Sequence, residues 1–195
     1  MTKISAHPAR DSIPWWIAEP RRLERDKEEV SDRFPDLDLT LDGNGQWSGH
    51  LPRWPLLRPE PSALIDLIGE SGMGVVVAYS AAHPMVSPRI YPTEPKPEVL
   101  EWTQHRWHVL GDGGLCLLQS EAAWDPAASI TDLLDKAAAW RVEYALVKTG
   151  VREGMSLGGI TDDDSLDHLI AEAVQRQAQV IRGPEGPSPA SDDET

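Results

Sequence analysis

The sequence predicts an α+β domain in which antiparallel strands come before most of the helices. The prediction follows from a change of pattern at Cys116. Before this residue, apolar side chains alternate or form short β-branched runs between prolines and glycines, which is typical of strands and turns. After it, apolar side chains recur at helical spacing. The expected order is a helix, a meander sheet, an irregular loop that holds Cys116, and helices.

The N-terminal part consists of an extension over residues 1–20 and a helix over residues 21–33. The helix has two spaced apolar residues, Leu23 and Val30, amid charged side chains, so we expect it to lie on the surface. The extension contains the apolar cluster Trp15-Trp16-Ile17. Two interpretations of this cluster are open: a hydrophobic docking patch, or a strap across the sheet.

A β-hairpin is predicted next. Leu37, Leu39 and Leu41 alternate with polar residues, which places them on one face of a strand. The Asp-Gly-Asn-Gly sequence at residues 42–45 is a strong turn signal, and it leads to a second strand around residues 47–51.

The segment that follows the hairpin has one further strand pattern. Prolines exclude regular structure from residues 52–61, and residues 62–68 predict a short helix or turn. Residues 74–79 (GVVVAY) are β-branched and apolar, which predicts a central strand. An extended segment punctuated by proline covers residues 84–97.

Two helices are predicted after Cys116. The first covers residues 129–147, with Ser129 as its N-cap and its end near Gly150. The second covers residues 165–181 and follows the acidic run 162–164, whose charge suits a helix N-terminus. The apolar side chains at helical spacing in the first helix are Ile130, Leu133, Leu134, Ala137, Trp140, Val142, Tyr144 and Leu146.

Composition and charge limit the partners. Residues 183–195 have the Pro, Gly and acid content of a disordered tail, which leaves residues 21–182 as the domain. The 195 residues carry a formal net charge of −14, which argues against nucleic acid or an anionic membrane as a partner and favours a basic surface. Because the chain shows no membrane-spanning run and no signal-peptide pattern, we expect it to be cytoplasmic.

Cys116 is the single cysteine, so no internal disulfide forms. A lone cysteine is more often a small buried apolar residue than a nucleophile. Here, however, it follows the tight turn Gly111-Asp112-Gly113-Gly114 and lies close in sequence to His105 and His108. A thiol in a loop beside an imidazole or turn amides is favoured as a thiolate, so Cys116 is a candidate nucleophile.

Other chemistries fit the sequence less well. A zinc site built from His105, His108 and Cys116 lacks a fourth ligand and a short Cys pair, so we expect no metal. The sequence has no phosphate-binding loop and no Cys-x-x-Cys pair, and we expect no cofactor. We expect His105 to cap a turn or lie in solvent, and retain it only as a secondary candidate.

The spacing around the cysteine resembles that of the ubiquitin-conjugating enzymes. Residues 113–117 (GGLCL) match the family's Gly-x-Ile-Cys-Leu pattern, and Trp124 and Pro126 stand eight and ten residues after the cysteine, as in the family. Residues 83–92 (HPMVSPRIYP) are similar to its Tyr-Pro-x-x-Pro-Pro segment. The resemblance covers residues 21–150 and is strongest between 83 and 140.

The resemblance implies a fold and a set of site residues. The fold is a four-stranded antiparallel meander with an N-terminal helix and C-terminal helices. Cys116 is then the catalytic residue. Gly113 and Gly114 allow a modifier's extended tail to lie close to the backbone, because they have no Cβ. Trp124 and Pro126 wall the tail groove, and Ser129 begins the helix that follows the active-site gate.

The chain departs from the family pattern at two places. His108 occupies the asparagine position of the family's His-Pro-Asn motif. A histidine can donate a hydrogen bond to an oxyanion, and it can also act as a base near neutral pH, so both roles are open. Lys148 stands at the count of the family's acidic residue and Glu143 comes too early, so that role is unassigned.

High Trp content and the histidine substitution look like the divergent bacterial members of the family found in anti-phage operons. The resemblance therefore implies that Cys116 accepts a ubiquitin-like modifier from an activating enzyme as a thioester and passes it to a protein target. Three alternatives remain open: the same chemistry on the C-terminus of a CBASS-type nucleotidyltransferase, a non-catalytic modifier-binding variant, and a cysteine hydrolase with His108 as base.

Overall fold

The computed structural model describes residues 13–156, 159 and 164–182. Most of the expected N-terminal extension, most of the acidic run at 162–164 and the expected tail at 183–195 lie outside these residues. The helices are α1 (Trp15–Ala18), α2 (Pro20–Arg33), α3 (Leu64–Ile68), α4 (Thr131–Lys148) and α5 (Asp167–Arg182). The strands are β1 (Leu37–Thr40), β2 (Gln46–Leu51), β3 (Met73–Ala78) and β4 (Arg89–Glu94).

The four strands form one antiparallel sheet in the order β1-β2-β3-β4. Each strand pairs with the next one along the chain, as short connections favour. Helices precede and follow the sheet. The α+β layout with a four-stranded antiparallel meander and helices at both ends is therefore confirmed.

The first strand is shorter than the leucine alternation predicts. Leu37 is buried and Leu39 is half-buried, as expected for one face of a strand. Leu41, which the pattern places on the same face, lies beyond the end of β1 and is 41% exposed. The prediction is wrong for Leu41 because the chain has already left the sheet for the turn at residues 42–45.

Helix α4 forms the centre of the molecule and contacts two apolar clusters. Its Leu134, Ala137 and Trp140 pack in the larger cluster, together with the inner face of the sheet. Its Val142, Ala145 and Leu146 pack in the smaller one, which α3 and α5 complete. Burial on two sides explains why apolar residues occupy so many positions of this helix.

The start of α4 differs from the prediction. Ile130, not Ser129, is the N-cap residue, and it makes no side-chain capping bond. The hydroxyl of Ser129 instead lies one residue earlier, where it accepts a hydrogen bond from the Thr131 amide at 3.1 Å. The serine still satisfies one of the free amides of the first turn, but from outside the cap position.

Helix α2 lies on the surface, as predicted, but its buried face is not an apolar stripe. Its buried residues are Arg22, Asp26 and Val30, spaced four apart and facing inward, while Leu23 is only half-buried. The charged pair can be buried because the Arg22 Nε donates to Asp26 Oδ1 at 2.7 Å. What the sequence does not predict is that two charged side chains occupy the buried face of the helix.

Asp26 is the centre of a buried polar network that we call the Asp26 cluster: Arg22, Asp26, Trp47, Tyr79 and His83. The Tyr79 hydroxyl donates to Asp26 Oδ2 at 3.1 Å and accepts from Trp47 Nε1 at 3.0 Å. His83 Nε2 lies 3.4 Å from the same carboxylate. Burial and the nearby Asp26 charge raise the pKa of Tyr79 far above its usual range, so its hydroxyl keeps its proton.

Trp15 covers this cluster. Its ring centroid lies 4.7 Å from that of Tyr79 and 4.5 Å from that of His83, and its Nε1 donates to the Asn44 carbonyl at 2.7 Å. The side chain is 2% exposed. Trp15 therefore joins α1 to the β1–β2 turn and packs in the core, which is the strap interpretation rather than the docking patch.

Replacement of Asp26 tests how far the fold depends on this cluster. We expect Asp26→Ala to lower the free energy of unfolding by about 3–5 kcal/mol, because Arg22 would be left buried without its carboxylate. Asp32→Ala, at an exposed position of the same helix, should cost less than about 0.5 kcal/mol. Urea denaturation measures both values. A loss below about 1 kcal/mol for Asp26→Ala would contradict the structural role.

Candidate active site around Cys116

A tight turn precedes the cysteine. Val109 and Leu115 form an antiparallel bridge, and the Leu110 amide donates to the Gly114 carbonyl at 2.7 Å, which closes the loop between them. Gly113 has φ +84°, and a Cβ there would lie 3.0 Å from the Trp102 ring. Glycine is therefore required at residue 113 by both the backbone conformation and the neighbouring indole.

Asp112 fixes the shape of this turn. Its Oδ1 accepts a hydrogen bond from the Gly114 amide at 2.9 Å, and its Oδ2 accepts one from the Tyr91 hydroxyl at 3.2 Å. The first bond is the local type that aspartate forms two residues along the chain. The second bond ties the turn to β4. The turn is thus held to the sheet before the chain reaches Cys116.

Cys116 itself lies at the end of this turn, half-buried. Its amide donates to the His108 carbonyl at 2.8 Å, and the preceding amide, of Leu115, donates to the Ile90 carbonyl at 2.8 Å. Its Sγ lies 3.8 Å from the Leu118 carbonyl. The backbone of the cysteine is therefore fixed from two sides, while its thiol is partly accessible.

The thiol lines a cavity of about 390 Å³. Ile90, Leu115 and Leu133 supply buried apolar walls, and Asp112 and Ser120 are among the polar lining residues. The cavity is large enough for a short extended peptide segment beside the sulfur. Of the eight predicted site residues, only Cys116 lines this cavity. The seven that do not line it are His105, His108, Gly113, Gly114, Trp124, Pro126 and Ser129.

His108 has an unusual backbone. Its φ of +48° and ψ of 43° lie in the left-handed region, which is uncommon for residues other than Gly, although Asn, Asp and His adopt it more often than the rest. The carbonyls of residues 104–108 each accept a hydrogen bond, from the amides of Trp107, His108, Met155 and Cys116 and from the Trp140 indole. This set of bonds holds the left-handed conformation in place.

The imidazole of His108 is half-buried. Within the described residues, no hydrogen bond joins it to the Cys116 thiol, so the two residues are linked through the backbone and not as a side-chain pair. His105 is exposed and contributes its carbonyl to the same short turn. The structure therefore brings His108 and Cys116 together, and it places the His105 side chain in solvent.

A second polar network supports the turn at residues 104–108, which we call the His108 turn. Glu101 is 5% exposed; it accepts hydrogen bonds from the Tyr144 hydroxyl at 2.8 Å and from Lys148 Nζ at 2.9 Å. Lys148 Nζ also bonds Glu98 at 2.7 Å and lies 5.6 Å from the centre of the Trp107 ring. Lys148 is thus part of the support of the His108 turn.

The charges of this network reinforce one another. Burial opposes ionisation of Glu101, but its bonds to Lys148 and Tyr144 outweigh burial and lower its pKa. Burial also opposes the charge of Lys148, but its carboxylate partners raise its pKa. Burial and the Glu101 bond raise the pKa of Tyr144 to about 12, so its hydroxyl remains a donor.

Glu143 does not belong to this network; it binds the segment that follows α4. It is 4% exposed, and its Oε1 binds Arg152 Nη1 and the Ser156 hydroxyl, each at 2.6 Å. These contacts hold the segment after α4 against the helix, where the Met155 amide reaches the Arg106 carbonyl. Glu143 therefore helps to fix the turn that precedes His108.

The residues predicted to wall a tail groove lie against the N-terminal half of the molecule. Trp124 is 8% exposed, and its Nε1 donates to the Pro84 carbonyl at 2.7 Å. The Pro126 carbonyl accepts from Arg22 Nη1 at 2.6 Å. The Ser129 hydroxyl donates to Glu29 at 2.5 Å. Their role in a groove stays a prediction.

Comparison with known proteins leaves the family as a resemblance: no protein-family model matches the chain, and no curated protein matches its sequence. The described helices include none that is long and apolar enough to cross a membrane. No group of three or more His, Cys, Asp or Glu side chains in the described ranges could hold a metal ion.

The support of the His108 turn has a pH signature. Because the pKa of Glu101 is lowered in the folded state, its contribution is present above its ordinary value of 4.5 and is lost as the pH falls below it. We expect Glu101→Gln to lower the free energy of unfolding by about 1–3 kcal/mol at pH 7 and by a smaller amount near pH ~3, because the contribution of the charge decreases as the pH falls below 4.5. Urea denaturation at the two pH values checks this.

Glu98→Gln is the matched control, since Glu98 binds the same lysine from a side chain that is 65% exposed. Its effect should be smaller at pH 7. An equal loss at both pH values for Glu101→Gln would contradict the assignment, because the charge would then contribute nothing.

Proposed function

We propose that the chain is a ubiquitin-conjugating-like transferase, which accepts a ubiquitin-like modifier as a thioester on Cys116 and passes it to a protein target, in bacterial antiviral defence. The observation that carries the proposal is the 2.8 Å bond from the Cys116 amide to the His108 carbonyl. It fixes the backbone of Cys116, whose thiol is partly accessible, to the backbone of a histidine on a rigid turn, and the thiol lines a cavity that can take a peptide tail.

The reaction needs two acyl transfers. In the first, the Cys116 sulfur attacks the thioester carbonyl of the modifier on its activating enzyme; a new S–C bond forms, the old one breaks, and the activating enzyme's thiol leaves with the proton. In the second, an amine or hydroxyl of the target attacks the carbonyl carbon, and the Cys116 thiol is released. Negative charge develops on the carbonyl oxygen in both steps.

The chain offers two kinds of group for these steps. A His108 imidazole on a fixed backbone can donate to the oxyanion or accept the proton of the attacking group, without first being freed from a hydrogen bond to the Cys116 thiol. The apolar side chains that line much of the cavity leave fewer positions for water beside the thioester, which would otherwise hydrolyse. Both features favour a transferase over a hydrolase, whose base would be paired with the thiol.

The partners follow from the chemistry and the charge. The modifier must end in a flexible tail with an activated carboxyl group, and the activating enzyme must present it on a thiol. A formal net charge of −14 favours partners with a basic docking face. A nucleotidyltransferase with an activated C-terminus would satisfy the same chemistry, and the mass of the adduct separates it from a ubiquitin-like modifier.

The adduct is the first test. Wild-type protein, co-expressed with its operon neighbours and run on a non-reducing gel, should show a shifted band that reductant removes. Cys116→Ala should lose the band and keep its thermal unfolding midpoint, because the cysteine side chain is small. In Cys116→Ser the adduct should become an ester that survives reductant. Mass spectrometry of the band identifies the carried protein, and a band that persists in Cys116→Ala would overturn the proposal.

His108 is tested by separating loading from transfer. We expect His108→Ala to slow transfer by about 10²-fold or more, and to slow loading less. His108→Asn should retain more activity than His108→Ala, because asparagine has a donor and tolerates the left-handed backbone. His50→Ala, at an exposed position on β2, is the control. Equal loss in both steps for His108→Ala would mean that the histidine is structural.

A further inference from the structure

Side chains of α2 bind four consecutive residues that follow the cysteine loop. Arg22 Nη1 donates to the Pro126 carbonyl at 2.6 Å. Arg25 donates from Nη1 to the Ala127 carbonyl at 3.0 Å and from Nη2 to the Ala128 carbonyl at 2.8 Å. Glu29 accepts from the Ser129 hydroxyl. We call this set of contacts the α2 clamp.

The clamped residues, 126–129, lie in sequence between two residues that line the Cys116 cavity. Ser120 lines the cavity on one side of the clamped segment in sequence, and Leu133, in the first turn of α4, lines it on the other. Ser129 also accepts from the Thr131 amide, so the clamp reaches the start of α4 directly. The position of Leu133 relative to the thiol therefore depends on how residues 126–129 are held.

Arg25 is the arginine of the clamp whose hydrogen bonds are made only to residues 126–129. Arg22 is buried and also binds Asp26, so its loss would disturb the core. Arg25 is 37% exposed at its side chain, and apart from the two carbonyls it has an ion pair with Glu29 at 3.7 Å. Its planar guanidinium binds the two carbonyls from two separate nitrogens in a fixed geometry, which the single nitrogen of a lysine ammonium does not reproduce.

We propose that Arg25 is a positioning residue for the Cys116 cavity: through the Ala127 and Ala128 carbonyls it fixes the Leu133 wall and sets the size of the group that can reach the thiol. The proposal rests on the proposed function only for the identity of that group, which there is the tail of the modifier. The positioning itself concerns the cavity and can be tested without any modifier.

The test compares two alkylating reagents of the same chemistry and different bulk, iodoacetamide and its N-benzyl derivative. In each reaction the Cys116 sulfur forms a bond to carbon, iodide leaves, and the thiol proton goes to solvent. Cys116 is the single cysteine, so intact-mass spectrometry gives both rate constants directly. We expect Arg25→Ala to change the ratio of the two rate constants by about threefold to tenfold.

Arg21→Ala is the matched control, because it removes the same side chain from an exposed position of the same helix. It should leave the ratio unchanged. Arg25→Lys keeps the charge but not the fixed contact from two nitrogens, and should change the ratio in the same direction as Arg25→Ala does. If Cys116 reacted only in unfolded chains, the two rate constants would rise together and their ratio would equal that of the unfolded chain. Labelling in 6 M urea measures that ratio directly.

Two results would overturn the proposal: an unchanged ratio in Arg25→Ala, or a wild-type ratio in Arg25→Lys. The labelling result is independent of the thioester assay. A changed ratio without any adduct in cells would remove the transferase and keep the positioning role. An adduct in the wild type with an unchanged labelling ratio in Arg25→Ala would remove the positioning role alone.

Discussion

The buried carboxylate of Asp26 is the constraint on which the rest of this structure depends. A charge with no exposed surface is stable only where donors surround it, and here they are Arg22 of α2 itself and the Tyr79 hydroxyl just after β3, with His83 Nε2 3.4 Å away. Apolar burial alone would allow these elements to slide against one another. The directional bonds to Asp26 set how α2 crosses the sheet, and thereby where its other side chains point.

The candidate site inherits its geometry from that crossing. Arg22 faces Asp26 with one edge of its guanidinium and the Pro126 carbonyl with another, and Trp124 reaches the Pro84 carbonyl next to His83. A second support, centred on Glu101, holds the turn before His108. Two polar networks thus hold the segments on either side of Cys116 in sequence. The Glu101 network supports the turn before it, and the Asp26 cluster, through Arg22, binds the segment after it.

Features of this arrangement that have a local signature could be predicted from the sequence. The order of strands and helices followed from apolar periodicity, and the Gly111–Gly114 turn followed from its composition. The Asp112 bond to the Gly114 amide is of the same local kind. The ubiquitin-conjugating resemblance rests on residue spacing, and no family match supports it.

Contacts between residues far apart had no such signature. The sequence shows Asp26 as one of many helix charges, and only its burial by Trp15 and the sheet distinguishes it. Trp102, which requires a glycine at residue 113, and Tyr91, which holds Asp112, are similarly ordinary in sequence. Lys148 stands at the count of an acidic residue of the family, a role that the sequence left unassigned, and its contacts are those of a support.

The clamp between α2 and the segment after the cysteine has a consequence for the order of folding. Its partners are separated by 100 to 104 residues along the chain. At ordinary rates of synthesis, α2 emerges roughly 5–20 s before the carbonyls that it binds. During that interval Arg22 and Asp26 have each other, as a pair one helical turn apart that favours α2. The nascent chain can therefore form α2 early, but it cannot enclose Cys116 until α4 begins.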